Sequence, residues 1–224
     1  MKIEARGLSF EYPKTGFRLR GINFVMGSMG SVETIEGEIV ALTGRNGSGK
    51  TTLGKLLCGL LKPQSGTVLF DGEDTSRWSL GQRGRRVGYL FQEPARQLFA
   101  PTVLEDLTFT QELAGISTEE AKRQAMELLS RFEIEHLAAR GALTLSRGEQ
   151  QRLAICGLLQ AKPGALVLDE PTTGLDARRR EILAGAIKEC LRVGTSVLLI
   201  SHDAAFVRAN AMRELRMEDL NNAE

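Results

Sequence analysis

The stretch "GRNGSGKT" at positions 44–51 constrains this chain more than any other. It follows the apolar run "IVAL" and precedes leucines at positions 53, 56, 57, 60 and 61, offsets that line one face of a helix. A glycine-rich turn between strand and helix that closes in Lys-Thr is a phosphate loop. Gly44, Gly47 and Gly49 let consecutive backbone N–H groups curl around phosphate oxygens, with Arg45, Asn46 and Ser48 between them. Lys50 brings a point charge to the outer phosphates and Thr51 offers a hydroxyl to Mg2+, while Thr52 belongs to the same binding set.

The rest of the chain supplies the setting that such a loop needs. Apolar runs recur as "EIVALTG" (38–44), "GTVLFDG" (66–72), "RVGYLFQ" (86–92), "ALVLDEP" (165–171) and "SVLLISHD" (196–203), and all five are predicted to be buried strands. Helical patterns alternate with them, which predicts an α/β fold with a largely parallel sheet. The N-terminal part, with "LSFEYP" and its glycine turns, reads as antiparallel β. From 93 to 146 the pattern is helix without strand, and Ser117 and Glu120 stand three apart as a capping box. The expectation is a single 224-residue unit in which 1–92 and 147–224 form the β-subdomain and phosphate-loop core, with 93–146 as an inserted helical subdomain. In "ALVLDEP" the end of a buried strand presents Asp169 and Glu170, where ligands collect in open α/β sheets. Asp169 suits Mg2+, and Glu170 suits an attacking water, which it would orient or deprotonate.

Composition excludes several classes. The net charge of +1 leaves no basic field for nucleic acid. Cys58, Cys156 and Cys190 form no C-x-x-C pair and are expected as buried reduced thiols, as in the cytosol. No apolar run approaches the ~18 residues of a membrane span, and the start "MKIEARGLSFEYP" has no signal-peptide core. Contact with a membrane would therefore come through a partner. The arginine clusters "RWSLGQRGRRVG" and "ARRRE" read as solvated faces, and Trp78 as a packing residue.

These motifs, in this order, resemble the ATP-binding cassette (ABC) ATPases along essentially the whole chain. The resemblance implies a P-loop NTPase (RecA-like) core, ATP and Mg2+ as ligands, and ATP hydrolysis. By that resemblance Tyr12 stacks on adenine, Gln92 touches Mg2+ and water, and His202 approaches the γ-phosphate. "PTTGLDA" with Asp176 matches the D-loop, and "LTLSRGEQQRLAI" matches the signature, with Ser146 and Gly148 in place. In such ATPases two cassettes pack head to tail, so that Ser146 and Gly148 would complete the site of a second cassette, in a homodimer or a heterodimer. Arg147 and Glu149 depart from the usual glycine and glutamine, and Arg147 is expected to face water rather than the neighbour's nucleotide.

The segment "FQEPARQLFAPTVLEDLTF" narrows the class. Through Gln97, Phe99, Thr102, Val103, Asp106 and Phe109 it is similar to ATPases of energy-coupling factor and cobalt or nickel importers, with Glu93 replacing asparagine. This implies a cytoplasmic subunit, peripheral at the inner face of the membrane, that drives uptake of a vitamin or metal ion through a transmembrane subunit. The segment between Tyr12 and Gly44 reads as longer than usual, with a hairpin expected at 27–31, and no C-terminal extension for pairing is expected after His202. Two alternatives are a regulatory cassette that completes a paired cassette's site and a non-transport cassette. A GTPase is disfavoured because no N-K-x-D motif is present.

Overall fold

The computed structural model describes residues 1–27 and 37–221, so the hairpin expected at 27–31 lies outside the described residues beyond Gly27. The first half of the chain runs β1 (Ile3–Glu11), β2 (Arg18–Met26), β3 (Ile39–Thr43), α1 (Lys50–Leu57), β4 (Ser65–Phe70), β5 (Glu73–Asp74), α2 (Leu80–Gly84) and β6 (Val87–Leu90). Three helices follow, α3 (Val103–Leu113), α4 (Thr118–Arg131) and α5 (Arg147–Gln160). The chain then returns as β7 (Ala165–Asp169), α6 (Ala177–Arg192), β8 (Ser196–Ile200), α7 (Ala204–Asn210), β9 (Arg213–Arg216) and α8 (Met217–Asn221).

Four of the five predicted strands form a parallel sheet in the order β6-β7-β8-β3, and β9 adds to the far side of β3. Every residue of β7 and β8 is buried, which explains their continuous apolar runs. Alternation still sorts their side chains into two cores. Ile39, Leu166, Leu168, Val197 and Leu199 enter one core with residues of α3 to α6. Val40, Leu42, Val167, Leu198 and Ile200 enter the other with α1 and the antiparallel strands. The sheet is therefore the middle layer of a sandwich, the arrangement of a P-loop NTPase.

The structure corrects several readings. The run at 66–72 is a strand, but β4 pairs antiparallel with β1, Ile3 opposite Phe70 and Ala5 opposite Val68, in a sheet ordered β2-β1-β4-β5. An apolar run encodes burial but not the direction of its neighbours. The helix carrying Leu53 ends at Leu57, because Gly59 adopts φ +74° while the Leu60 N–H bonds the Lys55 carbonyl and the Gly59 N–H bonds Leu56. That pair of bonds is a Schellman end, so Leu60 and Leu61 fall outside the helix. At α4 only half of the capping box forms: Ser117 accepts the Glu120 N–H at 3.4 Å, while the Glu120 carboxylate turns to Arg123 and Gln124. Cys58 and Cys156 are buried, and burial pushes both thiols up, whereas Cys190 is only partly covered.

The arginine clusters lie mostly on exposed faces, as expected, and make surface ion pairs there. Arg178 and Arg179 reach Glu133, Arg180 pairs with Asp203, and Arg86 pairs with Asp71 while lying over the Trp78 ring. Trp78 packs edge-on against Phe70 at 5.7 Å. Among the described residues no helix is long and apolar enough to cross a membrane. Leu53 is fully buried where α1 meets the sheet. Leu53→Ala is expected to cost about 2–5 kcal/mol in urea unfolding, the range for a cavity in a packed core.

Candidate functional site

The direction of the first acid follows from β7. Ala165 and Val167 enter the core that holds α1, so Asp169, two residues further, faces the same way. Its Oδ2 accepts a hydrogen bond from Thr51 Oγ1 at 2.8 Å and another from the Tyr89 hydroxyl at 3.0 Å. Asp169 is 1% exposed and Tyr89 8%, so neither bond competes with bulk water. Burial and the Asp169 charge push the Tyr89 phenol up, which keeps it a donor. Tyr89 occupies this place because β6 runs beside β7 with Tyr89 opposite Val167.

The phosphate loop connects β3 to α1. Gly44, Gly47 and Gly49 have φ of 138°, 77° and 107°, a region that L side chains rarely adopt. At Gly49 a Cβ would also stand 2.6 Å from Leu19 Cδ2 and 2.8 Å from Phe17 Cζ. Lys50, 7% exposed, lays its ammonium back over the loop and donates to the carbonyls of Gly44 and Arg45 at 2.8 and 2.9 Å. The Arg45 N–H donates to Glu218 on α8 at 2.7 Å, and this bond helps hold the Glu218 carboxyl below its usual range. Ser48 Oγ is buried without a hydrogen-bond partner.

After β7 the chain turns sharply. Glu170 has φ +54°, its N–H donates to the Ile200 carbonyl at 2.8 Å, and the Gln151 amide reaches the Glu170 and Pro171 carbonyls. This strained residue aims its carboxylate at the end of β8. There the His202 N–H donates to it at 3.4 Å and His202 Nε2 lies 3.6 Å from the other oxygen. Burial raises the Glu170 carboxyl above its ordinary value, and the His202 N–H opposes the shift. Removal of a proton from water is helped by a base of raised pKa held near a histidine.

Beside a cleft of about 760 Å³ the structure gathers Tyr12, Asn46, Gly47, Gly49, Lys50, Thr51, Thr52, Gln92, Asp169, Glu170 and His202 from the predicted set. Gly44, Arg45 and Ser48 belong to the same loop without lining the cleft. Ser146, Gly148 and Asp176 lie away from it, at helix starts. Asp176 caps α6 by accepting the Arg179 N–H. Ser146 precedes α5, and its N–H and hydroxyl both donate to Glu149, at 2.8 and 2.7 Å. The missing Cβ of Gly148 serves a close approach inside this chain, since a Cβ there would sit 3.1 Å from the Gly174 carbonyl. Arg147 is exposed, as expected, and its side chain also borders the cleft of its own chain, where the guanidinium donates to the Gln92 carbonyl at 3.4 Å.

Sequence reasoning missed Tyr89, Thr15, Phe17 and Thr173, of which the last three also line the cleft. Phe17 stands 6.4 Å from Tyr12, ring to ring, and Phe10 packs edge-on against Tyr12 at 4.8 Å. The signal for Tyr89 was available: in "GYLFQ" it is three residues before Gln92, on a strand next to the acidic one. Gln97, Thr102 and Asp106 fold the loop after Gln92. Gln97 accepts the Phe91 N–H, Thr102 caps α3, and Asp106 accepts the N–H groups of Phe99 and Ala100.

Comparison with known proteins matches residues 30–173 to the ABC transporter family. The chain belongs to the ABC transporter ATPase family. It is 40% identical over 217 residues, 97% of its length, to an ABC transporter ATP-binding protein of Pyrococcus horikoshii, covering 80% of that protein. It is 40% identical over 213 residues to the energy-coupling factor transporter ATP-binding protein EcfA of Methanothermobacter thermautotrophicus, covering 94% of this chain and 66% of that one. Among solved structures, CbiO1 of Clostridium perfringens, part of the ABC transporter complex CbiONQ, superposes with a TM-score of 0.76 at 31% identity over 96% of this chain and 83% of that one. Some curated relatives are much longer, and the chain spans 37% of one from Caldanaerobacter subterraneus.

Two outcomes follow from the geometry of this cassette. The charge on Glu170 costs stability above its raised pKa and is absent in both folded and unfolded chains well below 4.5. Glu170→Gln should therefore raise the melting temperature of the ligand-free chain at pH 8, with the gain shrinking as pH falls toward 4.5; a gain independent of pH contradicts this. Tyr89→Phe removes one of two donors on a buried carboxylate and should lower unfolding stability by about 1–3 kcal/mol in urea titrations.

Proposed function

We propose that this cassette is the ATP-hydrolysing subunit of an energy-coupling factor type importer and that the whole chain, 1–224, acts as one nucleotide-binding domain with 93–146 as its helical insert. The observation that carries the reading is the bond from Thr51 to Asp169, with Glu170 and His202 one step along at the same sheet edge. Mg-ATP would lie along the cleft, its base toward Tyr12 and its phosphates on the loop at Gly44 to Thr52.

The residues fit Mg2+. Among the described residues no cluster of three or more His, Cys, Asp or Glu side chains forms a closed metal cage. One carboxylate and one hydroxyl meeting at 2.8 Å are the oxygen donors that Mg2+ takes together with substrate phosphates. Thr51 and Asp169 would hold the ion, with Gln92 beside it, and the ion would neutralise charge on the β- and γ-phosphate oxygens. Lys50 would leave the Gly44 and Arg45 carbonyls for the phosphates. Glu170 would orient the attacking water and take its proton, and His202 would hold Glu170 and the departing phosphate in place.

The importer part of the reading rests on relatives named as energy-coupling factor transporter ATP-binding proteins, on the likeness to CbiO1 of the CbiONQ complex, and on the loop after Gln92. That loop and α3 expose Phe99, Phe109 and Leu113, with the two phenyl rings 5.3 Å apart, as an apolar surface for a transmembrane subunit. A cassette so attached sits at the cytoplasmic face of the membrane, and its cargo is a vitamin or metal ion. The second cassette, identical or related, would present Ser146 and Gly148 to this chain's phosphates and receive the same from it, with Asp176 at the seam. One observation favours a regulatory variant of this reading: Glu149 already occupies the Ser146 hydroxyl and N–H.

ATPase assays of the chain assembled with its membrane and cassette partners test the proposal. Glu170→Gln should lower steady turnover by about 10²–10⁴ while ATP binding persists. Unchanged turnover contradicts the assignment of Glu170, and activity carried only by the paired cassette favours the regulatory variant.

A further inference from the structure

Arg147 is the residue by which this chain departs most from the usual signature, and its placement gives it a use. It is the first residue of α5, and its side chain spans to the end of β6, where Nη2 donates to the Gln92 carbonyl. Arg147 borders the cleft that Lys50 also borders. Among the described residues no carboxylate pairs with it, although two are close by in sequence or space. Glu149 is committed to Ser146, and Glu170 to His202. A guanidinium carries five N–H donors in a planar fork, and this one places a single donor on a carbonyl at the long distance of 3.4 Å. Such a fork on the same cleft as a buried ammonium is suited to a phosphate oxygen pair.

The position of Arg147 along the cleft selects which phosphate. The aromatic end is made by Tyr12 and Phe17, and Phe17 packs over Gly49 in the loop that follows β3. Arg147 and Gln92 stand at the other end, beyond β8 and β7, at the tip of β6 on the far side of the sheet order β6-β7-β8-β3. A nucleotide with its base at the aromatic end brings its last phosphate, not its first, toward Arg147.

We propose that Arg147 is a nucleotide-binding residue in cis, a cation that contacts the terminal phosphate of the nucleoside triphosphate held by its own chain's Lys50. The inference rests on the reading of this cleft as an ATP site. It gives α5 two faces: the helix start with Ser146, capped by Glu149, would face a second cassette, while the first side chain of the helix reports on the nucleotide within. Triphosphate binding then draws Arg147 off the Gln92 carbonyl and links the helix start to the loop after β6 inside one chain. The diphosphate leaves that link unmade.

The experiment measures Mg2+-supported binding of a non-hydrolysable ATP analogue and of ADP by calorimetry. It uses the chain at concentrations where ultracentrifugation finds it monomeric, in the parent and in Arg147→Met, Arg147→Gly and Arg147→Lys. Arg147 is exposed at a helix start, so the variants should keep the parent's circular dichroism and melting temperature. Met and Gly are expected to weaken the triphosphate analogue about five- to twentyfold and ADP less than twofold, with Lys between parent and Met. Unchanged triphosphate binding by the monomeric variants overturns the proposal, whether Arg147 then proves idle or acts only on a partner's nucleotide, seen as weakened ATP-dependent pairing. A parent chain that binds neither nucleotide overturns the reading of the cleft itself, an outcome separate from the failure of Arg147 alone.

Discussion

The hydrogen bond from Thr51 to Asp169 ties together two residues 118 positions apart, and the working parts of this cassette depend on it. It exists because two local patterns meet. The phosphate loop starts α1 at Lys50 with the Thr51 hydroxyl directed to the sheet, and the two-residue period of β7 turns Asp169 to the same side as α1. Once Asp169 is fixed there, the next residue must face away, and the chain turns through a positive φ at Glu170 toward β8 and His202. Two adjacent acids thus receive different environments. The first is buried and doubly hydrogen-bonded, and the second is half-buried with its pKa raised. The proposed division of labour between a metal ligand and a base would follow from their positions on one strand end.

The second constraint is the sharing of α5 between two neighbourhoods. Its body packs into the core with α3 and α4, and its start carries Ser146, Arg147 and Gly148 at the surface. Glu149 caps that start with a carboxylate, which suits the positive end of the helix. An incoming phosphate from a second cassette would have to displace or coexist with that charge. The helix start is therefore neither bare nor blocked, and its strength toward a partner is set by how readily Glu149 yields.

Much of this was legible in the sequence, for physical reasons. Four parallel strands showed because burial on both faces forces continuous apolar runs, and the phosphate loop showed because its backbone admits only glycine at several positions. The family followed from motif order. The readings that failed share a cause. Residues 66–72 were apolar enough for a strand, but pairing direction is set by where the chain goes next. The strand Arg213–Arg216 is polar and sits at a sheet edge, so no pattern marked it. Leu60 kept the helical period while Gly59 ended the helix. At the site, Lys50, Thr51, Asp169, Glu170 and His202 converge as their motifs require, whereas Tyr89 stands on a strand and Phe17 in the turn before β2, and no linear motif records where either meets the cleft. Arg147 was legible as an anomaly, but its direction needed the end of β6 in view.

On the proposed function, Asp169, held by Thr51, makes nucleotide binding depend on Mg2+. The most direct measurement is ATP affinity with Mg2+ and with EDTA, for the parent chain and for Asp169→Asn. Mg2+ should strengthen ATP binding by the parent about tenfold or more, and Asp169→Asn should retain the EDTA affinity while losing most of that enhancement. An Asp169→Asn chain with the parent's full Mg2+ enhancement would contradict it.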